Sequence, residues 1–468
     1  MKNMNSVVRL QSIELKNFKN ITNGKIVFES YEKKWYLRQG YNGEILGIYG
    51  PNGSGKTSVI EAIDILKLIL SGNTLNKNIS NLISYNNEEC QLKFIFLIEI
   101  NDGKYMAEYK FKLRNNKAED KIEVNAEHLK YSEVDIINKK LLKSKSIINF
   151  NMNDSSDTIF KPIQIHSLLL NSNEGNKTKL YVSKELAKEY SISFIFNKRS
   201  IKLFQEGFKN ENQLYSDIIM SLQRFAQRIF IIKNNYSGCI EFDAILPLYF
   251  SENSSQRLDQ DIRTFSLFHI NRTPLEAFNV LNEVMKTINI VLKSIIPGLE
   301  IQIEIISEEL LENAEIGKVF QFISIRNKAK IPLKYESHGI RKIILILSAF
   351  VAMYNSEKTC IVIDQLDSEV FEFLFGELLS VLKERAKGQL IFTAHNLRAL
   401  EVLEKDDIII TTTNSNNRYV KLKNIKKNNN LRDYYLQELF LGGQNKKIYS
   451  NTKSYVIGRA FRKTGMIH

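Results

Sequence analysis

The chain has 468 residues, a formal net charge of +13 and a hydrophobic fraction of 43%. That fraction excludes intrinsic disorder as a description of the whole chain, and no run approaches the ~18 consecutive apolar residues that a membrane span requires. The first residues lack the apolar segment of a secretion signal, and the three cysteines have neither disulfide nor metal-site spacing, so we expect a cytoplasmic protein.

The first motif joins a strand, a glycine-rich loop and a helix. The apolar segment Ile45–Tyr49 leads into residues 50–57, GPNGSGKT, which match the Walker A pattern G-x-x-x-x-G-K-[ST] at every fixed position. Residues 58–70 then repeat apolar side chains at helical spacing. A chance glycine loop before a helix is the alternative, and the complete match in this context argues against it.

The chemistry of such a loop is phosphate binding. Glycines allow successive N–H groups to converge on a phosphate, and the helix N-terminus adds partial positive charge. Lys56 is expected to reach the β- and γ-phosphates, and the Thr57 hydroxyl to bind Mg²⁺. The predicted nucleotide-binding residues of this segment are Gly50, Asn52, Gly53, Ser54, Gly55, Lys56, Thr57 and Ser58.

Hydrophobic patterns predict the secondary structure of the segments that follow the glycine loop. Residues 92–100 and 105–113 alternate apolar and polar side chains about a turn at 101–104, which predicts a β-hairpin. Residues 131–330 are predicted to form a mainly helical insertion that serves oligomerisation or a partner, with a loop at 141–160 and helical stripes over 200–232 and 274–296. Near-heptad spacing in the second stripe leaves a short coiled coil or subunit contact open.

A second apolar strand, Thr359–Asp364, ends in a carboxylate in the manner of a Walker B motif, and Asp364 is expected to hold Mg²⁺. The next residue in most ATPases of this kind is a glutamate that activates water, whereas here it is Gln365. A neutral amide orients water without accepting its proton. Slow natural hydrolysis and a deliberate Glu-to-Gln substitution both remain open.

Two further candidates follow in the same order. Asp367 comes just after the Walker B strand, where ATPases with these motifs are expected to place a loop that meets the dimer mate. A buried strand over Gln389–Thr393 precedes His395, which is expected to donate to a γ-phosphate; a structural histidine is the alternative. The 73 residues beyond His395 are fewer than the ~100 of a small domain, and they are predicted as a strand, a turn, a strand and a short helix containing Leu439. We expect a docking tail, with any effector acting in trans.

The opening segment Ile13–Ile21, IELKNFKNI, is similar to the I-x-L-x-N-F-[KR] first strand of ABC-class ATPases of the SMC, RecF and OLD kind. With both Walker motifs, Asp367 and His395 in order, the chain resembles that group. The resemblance implies an α/β fold, an ABC-type P-loop NTPase domain with an antiparallel β-subdomain. It also implies ATP and Mg²⁺ as cofactors, ATP hydrolysis, and composite sites in a homodimer or higher oligomer. The two lobes of this ATPase domain would be residues 1–130 and 331–468.

In that group a signature loop of one subunit caps the γ-phosphate held by another, and its usual L-S-G-G pattern is absent here. The candidate is residues 336–339, in which Ser337 and Gly339 would coordinate the phosphate before a long apolar helix. An ordinary helix cap at Ser337 is the compatible alternative. Gln91 is the nearest candidate for a Q-loop glutamine.

The size, the insertion, the segment IDQLDSEVFEFLFGELL and the short aromatic tail resemble the AriA family, the ATPase subunits of PARIS anti-phage defence systems. That resemblance implies an oligomeric sensor and scaffold that holds a toxic effector nuclease until a phage-encoded trigger is sensed. A RecF- or SMC-like DNA-repair ATPase, binding duplex DNA through the basic surface, is the alternative. The missing L-S-G-G disfavours a transporter ATPase, and the absence of an N-K-x-D segment disfavours a GTPase.

Overall fold

The computed structural model describes a chain of alternating sheets and helices. It covers residues 6–37, 42–154, 158–172, 175–209, 212–233, 245–247, 264–267, 269–311, 315–422, 430–441 and 454–464. Among these residues no helix is long and apolar enough to cross a membrane.

The strands are β1 (Ser6–Phe18), β2 (Ile21–Val27), β3 (Glu44–Tyr49), β4 (Glu89–Ile100), β5 (Gly103–Asn116), β6 (Lys121–Asp135), β7 (Lys140–Leu141), β8 (Lys145–Asn151), β9 (Phe160–Lys161), β10 (Ile229–Ile232), β11 (Ile245–Pro247), β12 (Thr264–Ser266), β13 (Asn271–Pro274), β14 (Leu299–Leu310), β15 (Ile316–Arg326), β16 (Ala329–Pro332), β17 (Cys360–Ile363), β18 (Gln389–Thr393), β19 (Ile408–Thr411) and β20 (Tyr419–Val420). The α-helices are α1 (Glu29–Glu32), α2 (Lys56–Leu70), α3 (Ile163–Asn171), α4 (Asn176–Glu189), α5 (Lys198–Gly207), α6 (Gln213–Gln227), α7 (Leu275–Ile295), α8 (His338–Asn355), α9 (Glu372–Arg385), α10 (Ala399–Val402), α11 (Leu431–Leu441) and α12 (Ser454–Thr464).

A large antiparallel sheet has the order β2-β1-β4-β5-β6-β8-β9, with β7 against β6. The predicted hairpin is confirmed as β4 and β5, which pair from Glu89↔Arg114 to Ile100↔Gly103. Both residues of its turn have positive φ angles, 46° at Asn101 and 68° at Asp102. Asparagine and aspartate tolerate this left-handed conformation. The twist of such a turn matches the twist of the two strands that it joins.

A second sheet has the order β10-β17-β18-β3-β19-β20, in which β10 to β19 are parallel and β20 is antiparallel. Successive residues of its strands enter two different cores, as Leu46 and Ile45 do. Burial on both faces explains the continuous apolar runs read from the sequence. Because the strands are parallel, the residues that follow β3, β17, β18 and β19 meet at one edge.

Helices cover both faces of the parallel sheet. On one face α2 and α6 contact each other, α2 contacts β17 and β18, and α6 contacts the antiparallel sheet through β1 and β4. On the other face α8 contacts β17, α7 and α9. The α/β fold with an antiparallel subdomain is therefore confirmed.

Three segments differ from the predictions. The helices expected over 200–232 are α5 and α6, but α6 ends at Gln227, and Ile229 pairs with Cys360 as a parallel strand whose apolar side chains pack against both cores. The loop expected at 141–160 was wrong, since β8 lies within it and buries Ile147, Ile148 and Phe150. The insertion is also not mainly helical throughout, because β14 and β15 form a long hairpin.

Other predictions hold. The helix expected at 274–296 is α7, whose apolar stripe packs against β14 and α8 of the same chain. In the tail the strand, turn, strand and helix are confirmed as β19, a turn at 414–417, β20 and α11. The side chain of Leu439 and residues 442–453 lie outside the described residues. The domain boundaries stay predictions, and β6 and β16 run across the two proposed junctions.

Candidate functional site

The glycine loop leaves β3 at the carboxyl edge of the parallel sheet. Gly50 has a φ of 142°, and a Cβ added there would overlap the Thr411 hydroxyl at the end of β19. Gly55, with a φ of 97°, directly precedes α2. Only glycine adopts these angles readily, so the close approach to β19 and the entry into the helix both require it.

The remaining loop residues surround this turn. Asn52 and Gly53 are exposed, and Gly53 has a φ of 72°. Ser54 is buried, its hydroxyl donates to the Pro51 carbonyl at 2.6 Å, and it also contacts the Thr411 hydroxyl. Ser58 is buried in the first turn of α2. The loop therefore exposes its tip while its base is fixed to β19.

Lys56 lies folded back into the loop. Its side chain is 7% exposed, and Nζ donates to the carbonyls of Gly50 at 2.8 Å and Pro51 at 3.1 Å. Burial lowers the pKa of Lys56, while the charges of Asp364 and Asp367 oppose that shift. An ammonium held by neutral carbonyls near two carboxylates is poised to exchange them for phosphate oxygens.

Thr57 and Asp364 meet although 307 residues separate them. The Thr57 hydroxyl lies 3.1 Å from Oδ2 of Asp364, which directly follows β17. The buried Thr393 hydroxyl, at the end of β18, donates to Oδ1 of the same carboxylate. A hydroxyl and a carboxylate side by side are the hard oxygen ligands that Mg²⁺ prefers, so the donor set fits that ion.

Gln365 follows Asp364 in a left-handed conformation, with a φ of 52°. Its N–H donates to the Thr393 hydroxyl at 2.8 Å, and its carbonyl accepts from Lys342 Nζ at 2.7 Å. A residue other than glycine in this region stores strain that the surroundings must hold. The backbone at the expected water-activating position is thus fixed from two sides.

Asp367 and His395 are joined through the backbone. One Asp367 oxygen accepts from the N–H groups of His395 at 2.8 Å and Asn396 at 2.6 Å. Partial burial lowers the pKa of His395, and the nearby Lys56 ammonium lowers it further against the opposing carboxylates of Asp367 and Asp364. The lowered pKa favours the neutral imidazole, which retains one N–H to donate.

The signature candidate begins α8. Ser337 is the N-cap, exposed to solvent, and its hydroxyl accepts from the Ile340 N–H at 3.3 Å. The predicted cap is thus confirmed, while the role of Ser337 toward a nucleotide stays a prediction. Gly339 lies against the loop after Asp367, because a Cβ there would stand 2.8 Å from the Glu369 carbonyl oxygen.

Several residues around the loop were missed from the sequence. The Asn20 amide donates to the Gly53 carbonyl at 2.6 Å, and the Tyr419 hydroxyl donates to the Gly55 carbonyl at 2.9 Å. Thr393 could have been found, because it ends a strand parallel to those that carry Asp364 and the glycine loop. Asn20 and Tyr419 gave no such signal. Gln91 lies within β4, paired with Lys16 of β1.

The family profile described as "RecF/RecN/SMC N terminal domain" matches residues 9–419, which include both Walker motifs and His395. The chain belongs to this family. It is therefore an ABC-class ATPase of the RecF/SMC type, and ATP is the nucleotide that the glycine loop of this family binds. Thr57 and Asp364 are the residues that would hold Mg²⁺ beside it.

Three solved structures illustrate the likeness of this RecF/RecN/SMC family member to others. The Smc head domain of Pyrococcus furiosus bound to the C-terminal domain of ScpA shares 13% identity over 89% of this chain and 96% of that chain, with a TM-score of 0.38. The Thermotoga maritima SMC head domain shares 14% identity over 89% of this chain and 100% of that chain, with a TM-score of 0.37. The recombination mediator protein RecF with ATP shares 13% identity over 89% of this chain and 100% of that chain, with a TM-score of 0.38. No curated protein matches the chain.

Proposed function

We propose that this ATPase binds Mg²⁺·ATP, self-associates in the ATP-bound state and thereby acts as a scaffold for a separate effector. The observation that carries the proposal is the position of Ser337. Ser337 and His338, at the start of an 18-residue helix, are exposed to solvent, where a phosphate from a second copy can reach them. The Walker A loop, Thr57 and Asp364 would supply the other half of each composite site.

Gln365 favours a long-lived assembly over rapid turnover. An amide in the water-activating position accepts no proton, so bound ATP would persist and the assembled state would last. His395 would contact the γ-phosphate as a donor. These features support a switch that depends on ATP binding, with slow hydrolysis as its reset.

The finer role follows the AriA resemblance: an anti-phage subunit that holds a toxic nuclease and releases it on a phage-encoded trigger. The residues that support it are the segment 363–379 around Gln365 and Asp367 and the short tail with α11. Purification together with proteins encoded by neighbouring genes, followed by mass measurement with and without ATP, tests it. A stable complex with a small nuclease supports the role, and a chain that forms ATP-dependent oligomers without such a partner contradicts it.

A mixing experiment tests the composite site. Lys56→Ala removes the phosphate cation, and Ser337→Asp keeps a good N-cap while placing a negative charge against phosphate. Each variant alone should lose ATP-dependent association, and a mixture should regain part of it, because one site of each mixed pair is intact. Ser337→Asn, a neutral N-cap, is the matched control and should resemble the wild type. Absence of recovery at every mixing ratio contradicts a shared site.

Duplex DNA binding is a second candidate, favoured by the net charge of +13. ATP-dependent binding of duplex DNA, with affinity falling steeply as salt increases, would support a RecF-like role. Binding that is weak and independent of ATP would leave the charge as a general property of the surface.

A further inference from the structure

A buried lysine connects α8 to the loop after the Walker B strand. Lys342, in the second turn of α8, is 3% exposed. Its ammonium donates to the carbonyl of Gln365 at 2.7 Å and to the hydroxyl of Ser368. The Ser368 hydroxyl donates in turn to the same carbonyl at 2.9 Å. One cation therefore closes a hydrogen-bonded cluster between two segments that the sequence separates by 23 residues.

The same loop is fixed at its other contacts. Gln365 and Glu369 both have positive φ angles, 52° and 63°, so the loop begins and ends in a left-handed conformation. Its first N–H is held by Thr393, and the carbonyl of Glu369 lies against Gly339. Lys342 thus contacts this loop at Gln365 and Ser368. Gln365 belongs to the candidate ATP site, and the residue after Ser368 is the one that lies against the signature candidate.

The apolar residues that follow Lys342 in α8 show that packing alone does not require a lysine at this position. The neighbouring α8 residues Ile343, Ile344, Leu345 and Ile346 are buried hydrophobic side chains. A buried ammonium loses hydration that an isosteric apolar side chain would never require. Burial lowers the pKa of Lys342 to about 8, although the charges of Glu369, Asp367 and Asp364 oppose the shift. A buried ammonium with such a cost is better explained by its polar contacts than by packing.

We infer that Lys342 is a positioning residue that ties the Gln365–Ser368 loop to α8, so that the backbone of Gln365 and the helix that begins at Ser337 move together. The inference rests on the proposed function for its consequence, because both ends of this unit would contact ATP, one in each copy. Its structural half requires no nucleotide.

Hydrogen exchange tests the structural half on the full chain without ATP. In Lys342→Met the amides of residues 366–370 should exchange at least about tenfold faster, because the carbonyl and hydroxyl that order the loop lose their cation. Exchange in β18 should be unchanged. Lys342→Arg, which can donate to both acceptors, should return exchange of the loop to within about threefold of the wild type. Unchanged loop exchange in Lys342→Met would overturn the inference.

ATP titration and mass measurement test the consequence. In Lys342→Met the Kd for ATP should stay within about threefold of the wild type, whereas ATP-dependent association should weaken at least about tenfold, with recovery in Lys342→Arg. Lys383→Met is the matched control, since Lys383 Nζ donates to the buried Asp407 at 2.5 Å at the opposite edge of the parallel sheet. Lys383→Met should lower the thermal stability, and it should not weaken ATP-dependent association more than it weakens the binding of ATP.

The outcomes separate the two ideas. A wild type that binds ATP but never associates contradicts the proposed function, while faster loop exchange in Lys342→Met still supports the positioning role. Equal loss of ATP binding and association in Lys342→Met, with faster exchange throughout the chain, would mean that Lys342 serves general stability, and it would overturn the inference.

Discussion

Replacement of Thr393 by valine removes the hydroxyl that joins the two consecutive residues Asp364 and Gln365. That hydroxyl donates to Oδ1 of Asp364 and accepts the Gln365 N–H at 2.8 Å, and the side chain is fully buried. Valine has nearly the same shape, so the change deletes hydrogen bonds with little change in volume. The substitution therefore isolates the polar contribution of one atom.

The expected magnitude follows from the two bonds. A hydrogen bond to a charged group contributes ~1.5–3 kcal/mol, and a buried N–H left without an acceptor costs ~1–3 kcal/mol. Because neighbouring effects are not additive, we expect Thr393→Val to lower the free energy of unfolding by about 2–4 kcal/mol. Loss of the partner that orients Asp364 should also weaken Mg²⁺ binding by about tenfold or more.

Urea denaturation of the nucleotide-free chain measures the first effect, and calorimetric titration with ATP in Mg²⁺ or in EDTA measures the second. Thr273→Val is the matched control, because Thr273 is 2% exposed and lies in β13, outside the sheet that carries the site. The affinity for ATP in EDTA should be equal in wild type and Thr393→Val, since the Walker A loop is intact. Only the gain from Mg²⁺ should shrink.

Two results would refute the reasoning. A change in the free energy of unfolding no larger than that of Thr273→Val would mean that the hydroxyl bonds are replaced by other partners. An undiminished gain in ATP affinity from Mg²⁺ would mean that Asp364 needs no orientation by Thr393, or that another carboxylate holds the ion.

Three further predictions concern the same edge of the sheet. Gln365→Glu should raise steady-state ATP hydrolysis ~10²–10⁴-fold and shorten the life of the assembly, and background hydrolysis with an unchanged lifetime would show that binding alone governs the switch. Burial lowers the pKa of Lys342 from 10.5 to about 8, so between pH 8 and 10.5 the unfolded lysine keeps a proton that the folded lysine has lost. The free energy of unfolding of the wild type, relative to that of Lys342→Met, should therefore rise by up to about 3 kcal/mol over this pH range. A difference that denaturation shows to be independent of pH would contradict the lowered pKa. Gly50→Ala should lower the free energy of unfolding by ~1–3 kcal/mol through overlap with Thr411, and a melting temperature equal to that of Gly458→Ala, a site with open space around it, would argue against that overlap.

The sequence determined those parts of the site that depend on neighbouring residues. The loop 50–57 has its conformation dictated by its glycines, and the apolar runs of β3, β17 and β18 are long enough to identify buried parallel strands. The rule that parallel strands end at one edge then brings Asp364 and His395 to Lys56 without any coordinates. Ser337 as a helix cap follows equally from local chemistry.

Only the tertiary structure decided which distant side chains complete that edge. Tyr419 contacts Gly55 across 364 residues, and Lys342 reaches Gln365 from a helix that is mostly apolar after its first turn. Ile229 joined the parallel sheet rather than a helix, because β10 pairs with β17 while its side chains pack against both cores. Such choices depend on which partners fold against a segment, and the hydrophobic pattern of the segment is the same in either case.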